Sequence, residues 1–153
     1  MDHFEGIVTG HVSAPPEAVF ELVTDVGRLP EWNRCIASIV EAPAKPAPGA
    51  EWVVKIRVPG LPAWNSRSRV EEYDPDGLRF VYRSQSDDGN PSYAVWTWAL
   101  RPEGDGTLVT VGWEGNPKTF WRKLLFAPLR RRQLQGEVAA SIAALEGTLS
   151  TTS

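Results

Sequence analysis

One tyrosine and two carboxylates of this sequence are the candidates for proton transfer. Tyr82 lies within the β-forming run LRFVYRS, whereas Asp25 and Glu72 lie at the margins of other predicted elements. Each can act as a general acid or base if a pocket holds it beside a substrate. Capping and surface ion pairing are the competing interpretations for the carboxylates. The catalytic residue therefore stays open, with Tyr82, Asp25 and Glu72 as candidates.

Other catalytic and metal chemistries lack their residues. The two histidines, His3 and His11, stand near the N-terminus with no cysteine cluster, so no zinc site is predicted. Cys35 has no obvious histidine partner, and the sequence has no G-x-S-x-G nucleophile motif. The GDG at 104–106 is typical of a hairpin turn rather than a dinucleotide loop. Neither a metal nor an organic cofactor is expected.

Large aromatic residues alternate along the predicted strands, and this pattern favours a binding pocket. The chain has seven tryptophans, and alternation sends most strand aromatics to one face of a sheet. Ser66 and Ser68 share a face with Trp64, and a few polar groups among apolar rings are suited to orienting an apolar ligand. The competing interpretation is a solid core in which rings pack on rings and the serines bond to backbone or water.

Two sets of cations are candidates for contacts with a partner. The opposite sheet face carries a basic stripe made of Lys55, Arg57, Arg67, Arg69, Arg79 and Arg83. This stripe fits an acidic partner, or a solvated face paired with carboxylates such as Glu71. The segment FWRKLLFAPLRRR at 120–132 fits a membrane-surface or lid segment, or a helix entrance packed on the sheet. The net charge of −3 and the pI of about 5.4 argue against a nucleic-acid partner.

The elements that position these residues follow from hydrophobic period and turn residues. Residues 4–12 are typical of a strand and 15–24 of a helix, after which a helical turn around Arg28–Pro30 delivers Trp32. Short connections between later strands favour hairpins, hence an antiparallel sheet of about seven strands counting the first. The six further β-forming runs lie between turn residues at 35–41, 50–58, 63–73, 77–84, 92–101 and 106–114.

The last third of the chain changes to a helical period. Pro128 interrupts the segment before it, so a kink or a new start is expected there. The order of strand, helices, six strands and long helix predicts an α+β fold, with a curved sheet wrapped on the C-terminal helix. The residues that form one apolar stripe along that helix are Leu134, Val138, Ile142, Leu145 and Leu149.

Length and composition fit one domain that spans 1–153. The chain has 42% hydrophobic and 23% charged residues, which is ordinary for a globular protein. Its single cysteine cannot form an intrachain disulfide, and the N-terminus MDHFEGIVTG lacks an apolar signal core. No run approaches the roughly eighteen apolar residues that a membrane span needs. A cytoplasmic location is expected.

Four stretches, taken in their order along the chain, carry a resemblance to a known family: SAPPEAVFELVTDVGRLPEWN at 13–33, YDPDG at 73–77, GDGTLVTVGWE at 104–114 and FAPLRRRQLQGEVAASIAAL at 126–145. Together they resemble the polyketide cyclase/dehydrase branch of the SRPBCC superfamily, which includes START-like and birch-pollen-allergen-like proteins. The resemblance implies a helix-grip fold, in which a seven-stranded antiparallel sheet curls around the C-terminal helix and two short helices after strand 1 close one end. It also implies a cavity for a hydrophobic molecule between sheet and helix, with Trp32 as its wall or floor.

These observations lead to a hypothesis of hydrophobic or aromatic ligand binding, for a lipid or a polyketide. The resemblance also covers aromatase/cyclases, lipid carriers and hormone receptors, so a polyketide cyclase or dehydratase acting by general acid–base catalysis is the first alternative. A protein-interaction module without a ligand is the second. A monomer or homodimer with transient membrane-surface contact fits each. The predicted ligand-binding residues are Trp32, Trp52, Trp64, Ser66, Ser68, Phe80, Tyr82, Trp96, Trp98 and Trp113, with Phe120, Trp121 and Leu124 near the mouth.

Overall fold

The computed structural model describes residues 4–33, 36–57, 60, 62–86, 93–116 and 128–152. Its strands are β1 (Phe4–Val12), β2 (Ile36–Glu41), β3 (Glu51–Ile56), β4 (Trp64–Asp74), β5 (Arg79–Ser86), β6 (Tyr93–Glu103) and β7 (Gly106–Asn116). Its helices are α1 (Pro16–Thr24), α2 (Leu29–Trp32) and α3 (Pro128–Thr152), and a 3-10 turn (Val26–Arg28) joins α1 to α2.

All seven strands form one antiparallel sheet in the order β1-β7-β6-β5-β4-β3-β2. Strands β2 to β7 pair as successive neighbours because short connections join them, as the turn residues predict. The chain returns so that β1 adds to β7 along its whole length, from Phe4 opposite Gly115 to Val12 opposite Thr107. The predicted helix-grip fold is therefore confirmed, with its curved sheet, two short helices after β1 and a long C-terminal helix.

The observed starts of α1 and β5 differ slightly from the predicted ones. Pro15 is the N-cap residue of α1, so both prolines stand where a missing N–H costs nothing. Strand β5 begins at Arg79, two residues later than expected, because the turn takes in Gly77 and Leu78. Leu78 has a φ of 56°, a left-handed conformation that ends the turn and that a β-strand cannot include.

Helix α3 begins at Pro128 in the described part of the chain, and the segment before it, which decides between the expected kink and a new start, lies outside the described residues. Its buried side chains are spaced as the apolar stripe requires: Val138, Ile142 and Leu145 lie in the core, and Leu149 packs against it. The side chain of Leu134 lies outside the described part of the chain. The helix packs chiefly on β1, α1 and α2.

Close approach of α3 to the sheet depends on a small residue in β1. A Cβ placed at Gly10 would lie 2.8 Å from Cγ2 of Ile142, closer than packed side chains allow.

Two hydrogen bonds also connect helix α3 to the segment after β1 and to α2. The backbone N–H of Ser13 donates to Oε1 of Glu146 at 2.9 Å, and the hydroxyl of Thr148 donates to the carbonyl oxygen of Glu31 at 3.5 Å.

Candidate ligand-binding site

Strand pairing assembles the predicted aromatic residues on the concave face of the sheet. Tyr82 pairs with Trp96, Trp96 with Trp113, and Trp113 with Gly6 of the edge strand. One step towards α1 and α2, Phe80 pairs with Trp98, and Trp98 with Val111. Rings from β5, β6 and β7 therefore lie side by side in rows across the strands. The alternation within each strand predicts which residues point inward, but it does not predict which of them are paired across strands.

The rings form two connected groups of contacts. In one group, Trp52 meets Tyr82 edge-on with centroids 5.0 Å apart, and both contact Phe80 at 6.1 and 5.4 Å. In the other, Trp96 and Trp113 lie 5.6 Å apart with planes tilted by 35°. Such pairs are favourable beyond the area that they bury. The concave face therefore carries packed aromatic rings from β3, β5, β6 and β7, which we call the aromatic surface.

A row of small residues lies beside these rings on the concave face. Ser68 pairs with Ser84, Ser84 with Ala94, and Ala94 with Gly115. We call these four residues the small-residue row. Trp52 pairs with Ser68 and ends the row on the β3 side. None of the four side chains extends beyond a hydroxyl, so this strip, which we call the trough, carries smaller side chains than Trp52 at its end and the adjacent row that contains Tyr82.

Ser84 is an inward residue of this row that the sequence analysis did not name. It follows Tyr82 by two positions on β5, so the same alternation that placed Tyr82 inward also places Ser84 inward. Its Oγ lies 2.6 Å from Oγ of Ser68, which is almost fully buried. The hydroxyl of Ser66, also predicted, donates to the carbonyl oxygen of Gln85 at 3.5 Å.

Burial differs between the two ends of the concave face. Towards α1 and α2 the side chains are fully enclosed, as Val12, Val19 and Val109 show. Trp32 of α2 also lies there, with its ring edge-on to Trp98 at 5.3 Å. At the other end, Trp52, Ser68 and Trp113 are buried, but several inward side chains retain partial exposure: Trp64, Tyr82, Ser84, Ala94 and Trp96. The accessible part of the site is thus the end away from the short helices.

Tyr82 keeps its proton over an unusually wide pH range. Burial of its hydroxyl raises its pKa to about 12, because the phenolate would lose its hydration there. A side-chain hydrogen bond with Trp98 acts in the opposite direction and is the smaller effect. At neutral pH the phenol can donate a hydrogen bond or a proton, but it cannot serve as a base.

Two buried indole N–H groups have no acceptor within the part of the chain that the structure describes: Nε1 of Trp32 and Nε1 of Trp113. Both residues are at least 96% buried, since only 2% and 4% of their surfaces remain accessible. An unpaired buried donor typically costs about 1–3 kcal/mol, so native structures rarely keep one without a reason.

The two candidate carboxylates lie away from the aromatic surface. A register shift between Val70 and Glu72 turns Glu72 outward, and its Oε2 lies 2.6 Å from Nε of Arg79. The same shift places Tyr73 inward, 6.4 Å from the ring of Phe80. Asp25 is exposed at the C-cap of α1. The roles of both carboxylates in catalysis remain predictions without a geometric link to Tyr82.

A separate cleft of about 500 Å³ lies on the outer side of α1. The β4–β5 hairpin contributes Tyr73 and Leu78 to its wall, and α1 contributes Phe20. The rings of Phe20 and Tyr73 contact one another at 5.8 Å. They stand between this cleft and the aromatic surface of the sheet, so the two openings are on different sides of the same rings.

On the convex face, carboxylates and one aromatic ring contact several cations of the basic stripe. Nη1 of Arg67 lies 3.3 Å from Glu51 and 3.6 Å from Glu41, and its stem covers Val53, which is buried although it points outward. The guanidinium of Arg83 stacks on the ring of Tyr93 at 3.7 Å. With Arg79 paired to Glu72, half of the six cations have local partners. This arrangement favours the solvated outer face over a docking surface.

Three expectations concern residues or features beyond these contacts. Phe120, Trp121 and Leu124, predicted near the mouth, lie outside the described residues. Across the described ranges, His, Cys, Asp and Glu side chains form no group that could hold a metal ion. Over the same ranges, no helix combines the length and the apolar character of a membrane span.

Comparison with known proteins identifies the family. A family profile described as polyketide cyclase/dehydrase and lipid transport matches residues 6–150. The chain belongs to this family. The predicted resemblance to the SRPBCC superfamily is thereby confirmed. A search of curated proteins finds no match.

Solved structures share the fold of this family member at low sequence identity. TTHA0849 from Thermus thermophilus is 23% identical with a TM-score of 0.77, over 98% of this chain and 99% of that one. Ara h 8.0201 is 15% identical with a TM-score of 0.72, over 97% and 99%. The di-domain ARO/CYC StfQ from the steffimycin biosynthetic pathway is 14% identical with a TM-score of 0.73, over 95% of this chain and 50% of StfQ. These identities establish a common fold.

Proposed function

We propose that this protein binds a hydrophobic, aromatic small molecule on the concave face of its sheet, as a carrier or sequestering protein. The observation that carries the proposal is the small-residue row, in which Ser84 and Ala94 are partly exposed, with Trp52 at its β3 end and Tyr82 and Trp96 in the adjacent row. Apolar sites with a few polar groups are the usual design of small-molecule pockets. Membership of a family described by polyketide cyclisation and lipid transport supports the same conclusion.

The affinity expected from this surface is moderate. Burial of one aromatic ring contributes roughly 2–3 kcal/mol at ordinary transfer values, so two or three ring contacts give micromolar binding. The Ser68–Ser84 pair can orient a ligand by exchanging one of its hydrogen bonds. We place the binding role in a cytoplasmic monomer or homodimer, as the single cysteine and the predicted one-domain organisation suggest.

Native mass spectrometry of freshly purified protein, followed by organic extraction, tests the proposal directly. An added mass that disappears on denaturation is expected and would identify the ligand class. A clean apo mass, together with unchanged tryptophan fluorescence across a panel of lipids and aromatic polyketides, would show instead that the protein's own rings fill the site.

A matched pair of variants locates the binding site. Ser84→Leu places an isobutyl group in the trough, so it should weaken binding of an aromatic probe at least about tenfold by blocking contact with the rings. Gln85→Leu introduces the same side chain at the next residue, which faces the other side of the sheet. Equal affinities of the two variants in a fluorescence titration would place the ligand elsewhere.

A second candidate function is a cyclase or dehydratase with Tyr82 as its general acid. The phenol is protonated at neutral pH and lies in the aromatic row of the concave face, so it can donate a hydrogen bond to a substrate carbonyl, although its raised pKa makes it a weak acid for full proton transfer. Turnover of a poly-β-ketone surrogate that Tyr82→Phe abolishes would support this role. Absence of turnover with any such surrogate, in a protein that binds it, leaves binding as the function.

A further inference from the structure

The buried indole N–H of Trp113 lacks a partner at the margin of the proposed site. Trp113 stands on β7 two residues before Gly115, which ends the small-residue row. A Cβ at Gly6 would overlap Cζ2 of Trp113, and Cε2, the ring carbon bonded to Nε1, lies next to it. The edge of the indole that carries the N–H therefore covers β1 beside the trough. It is enclosed without an acceptor among the described residues.

Neighbouring rings do not satisfy this donor. The planes of Trp96 and Trp113 are tilted by only 35°, and an indole N–H lies in the plane of its own ring. It therefore cannot point squarely at the face of Trp96. Trp32 differs in this respect, because its ring is nearly perpendicular to that of Trp98, the arrangement in which an N–H can meet an aromatic face. Trp113 is thus the donor with no alternative partner among the described residues.

The other polar groups on the concave face are already engaged. Ser68 and Ser84 bond to each other, and the hydroxyl of Thr107 donates to the carbonyl oxygen of Ala14 at 2.7 Å. The hydroxyl oxygen of Tyr82 accepts a hydrogen bond from the indole of Trp98, so Tyr82 is a second possible donor, which the comparison of variants below separates from Trp113. An indole N–H can donate but not accept, so a ligand can satisfy Trp113 only by presenting an acceptor atom.

The charge of the surroundings defines which acceptor fits. On the described strands, the inward positions carry no Lys, Arg or His, since the cations of the sheet lie on its convex face. A carboxylate there would lose its hydration and would find no countercharge on the described strands, which costs far more than one hydrogen bond returns. A neutral carbonyl oxygen avoids that cost.

We propose that Trp113 is a specificity-determining residue, whose indole N–H donates to a ketone or quinone oxygen of an uncharged aromatic ligand. This inference rests on the proposed function, because it concerns a ligand of the same concave site. It adds a selection rule: among molecules of equal ring area, the protein prefers the one that carries a neutral carbonyl over the hydrocarbon and over the carboxylate.

Three probes with one ring frame test this rule. Fluorene has no acceptor, fluorenone replaces its CH2 with a carbonyl, and fluorene-9-carboxylate carries a charge. Dissociation constants are measured by quenching of tryptophan fluorescence for wild type, Trp113→Phe and Trp96→Phe. The ratio of the fluorene and fluorenone constants is compared between proteins, so that the different hydration of the probes cancels.

Trp113→Phe removes the N–H and keeps an aromatic ring, so the preference for fluorenone over fluorene should fall about tenfold. Trp96→Phe removes a similar volume from the neighbouring ring, so it should weaken both probes and keep their ratio. An unchanged ratio in Trp113→Phe would overturn the role of Trp113 while leaving the proposed function in place. Tighter binding of the carboxylate than of fluorenone would overturn the neutral-ligand rule. Failure of all three probes to bind wild type would count against the proposed function itself.

A nuclear magnetic resonance measurement on wild type keeps the test valid if Trp113→Phe does not fold. The indole proton of Trp113 is identified by its nuclear Overhauser effect to the Hα protons of Gly6, which its ring covers. Fluorenone should move this resonance downfield and fluorene should not, because only the ketone accepts a hydrogen bond. An equal response to both probes contradicts the proposal.

Discussion

At the scale of single residues, the phenol of Tyr82 links the site to the stability of the protein. Its pKa rises from an ordinary value near 10 to about 12 because its hydroxyl is buried. The folded state therefore holds this proton more tightly than the unfolded state. The stability that depends on the protonated phenol is complete below pH 10 and is lost as the pH rises from 10 through 12.

Alkaline unfolding measures this effect. Two pKa units correspond to about 3 kcal/mol at most, so wild type should lose up to that much more stability than Tyr82→Phe between about pH 10 and 12. Urea unfolding at several pH values gives the two curves, and titration of the other groups cancels in their difference. Parallel curves would mean that the hydroxyl is hydrated in the folded protein.

The hydroxyl pair of Ser68 and Ser84 forms a second residue-scale unit. Loss of either oxygen leaves the other without its partner at 2.6 Å, so Ser68→Ala and Ser84→Ala should each lower the free energy of unfolding by about 1 kcal/mol. The double variant should lose less than the sum, and a double-mutant cycle by urea unfolding measures the coupling. Strict additivity would indicate that the two hydroxyls bond elsewhere.

At the scale of elements, the distance between β1 and α3 depends on glycine. A methyl group at Gly10 would press on Cγ2 of Ile142, which is β-branched and fixed in the core, so Gly10→Ala should destabilise the protein by about 1–3 kcal/mol. Gly147 of α3 has open space around its Cα, and Gly147→Ala should stabilise by up to about 1 kcal/mol through helix propensity. Urea unfolding of both variants compares them, and equal effects would contradict this packing.

Elements also show where reasoning from the sequence stopped. Alternation correctly predicted Trp52, Phe80 and Trp98 as inward residues because a strand has a strict period of two. It did not predict the register shift in β4 that turns Glu72 outward and Tyr73 inward, since a bulge changes the period without a signal in the residue types. The Ser84 position followed the same period as Tyr82, so the signal for it was present.

At the scale of the whole molecule, a ligand that binds only the folded state must raise its melting temperature. Fluorenone at ten times its dissociation constant contributes about 1.4 kcal/mol, which corresponds to roughly 3–6 °C for a chain of this length. Differential scanning fluorimetry over a concentration series measures the shift, and Ser84→Leu should show a smaller one at equal concentration. A constant melting temperature at concentrations that quench tryptophan fluorescence would assign the quenching to surface contact.

The sequence by itself determined the order of elements, the family resemblance and the separation of aromatic from basic residues, because periodicity and turn chemistry are local properties. Only the tertiary structure decided which rings meet across strands, that Ser68 and Ser84 form a pair, and that Arg67 and Arg79 are held by carboxylates. It also decided that the N–H of Trp113 is enclosed without a partner among the described residues. These features depend on strand register and on the packing of distant parts of the chain around each side chain. Both are fixed by long-range contacts that no local pattern encodes.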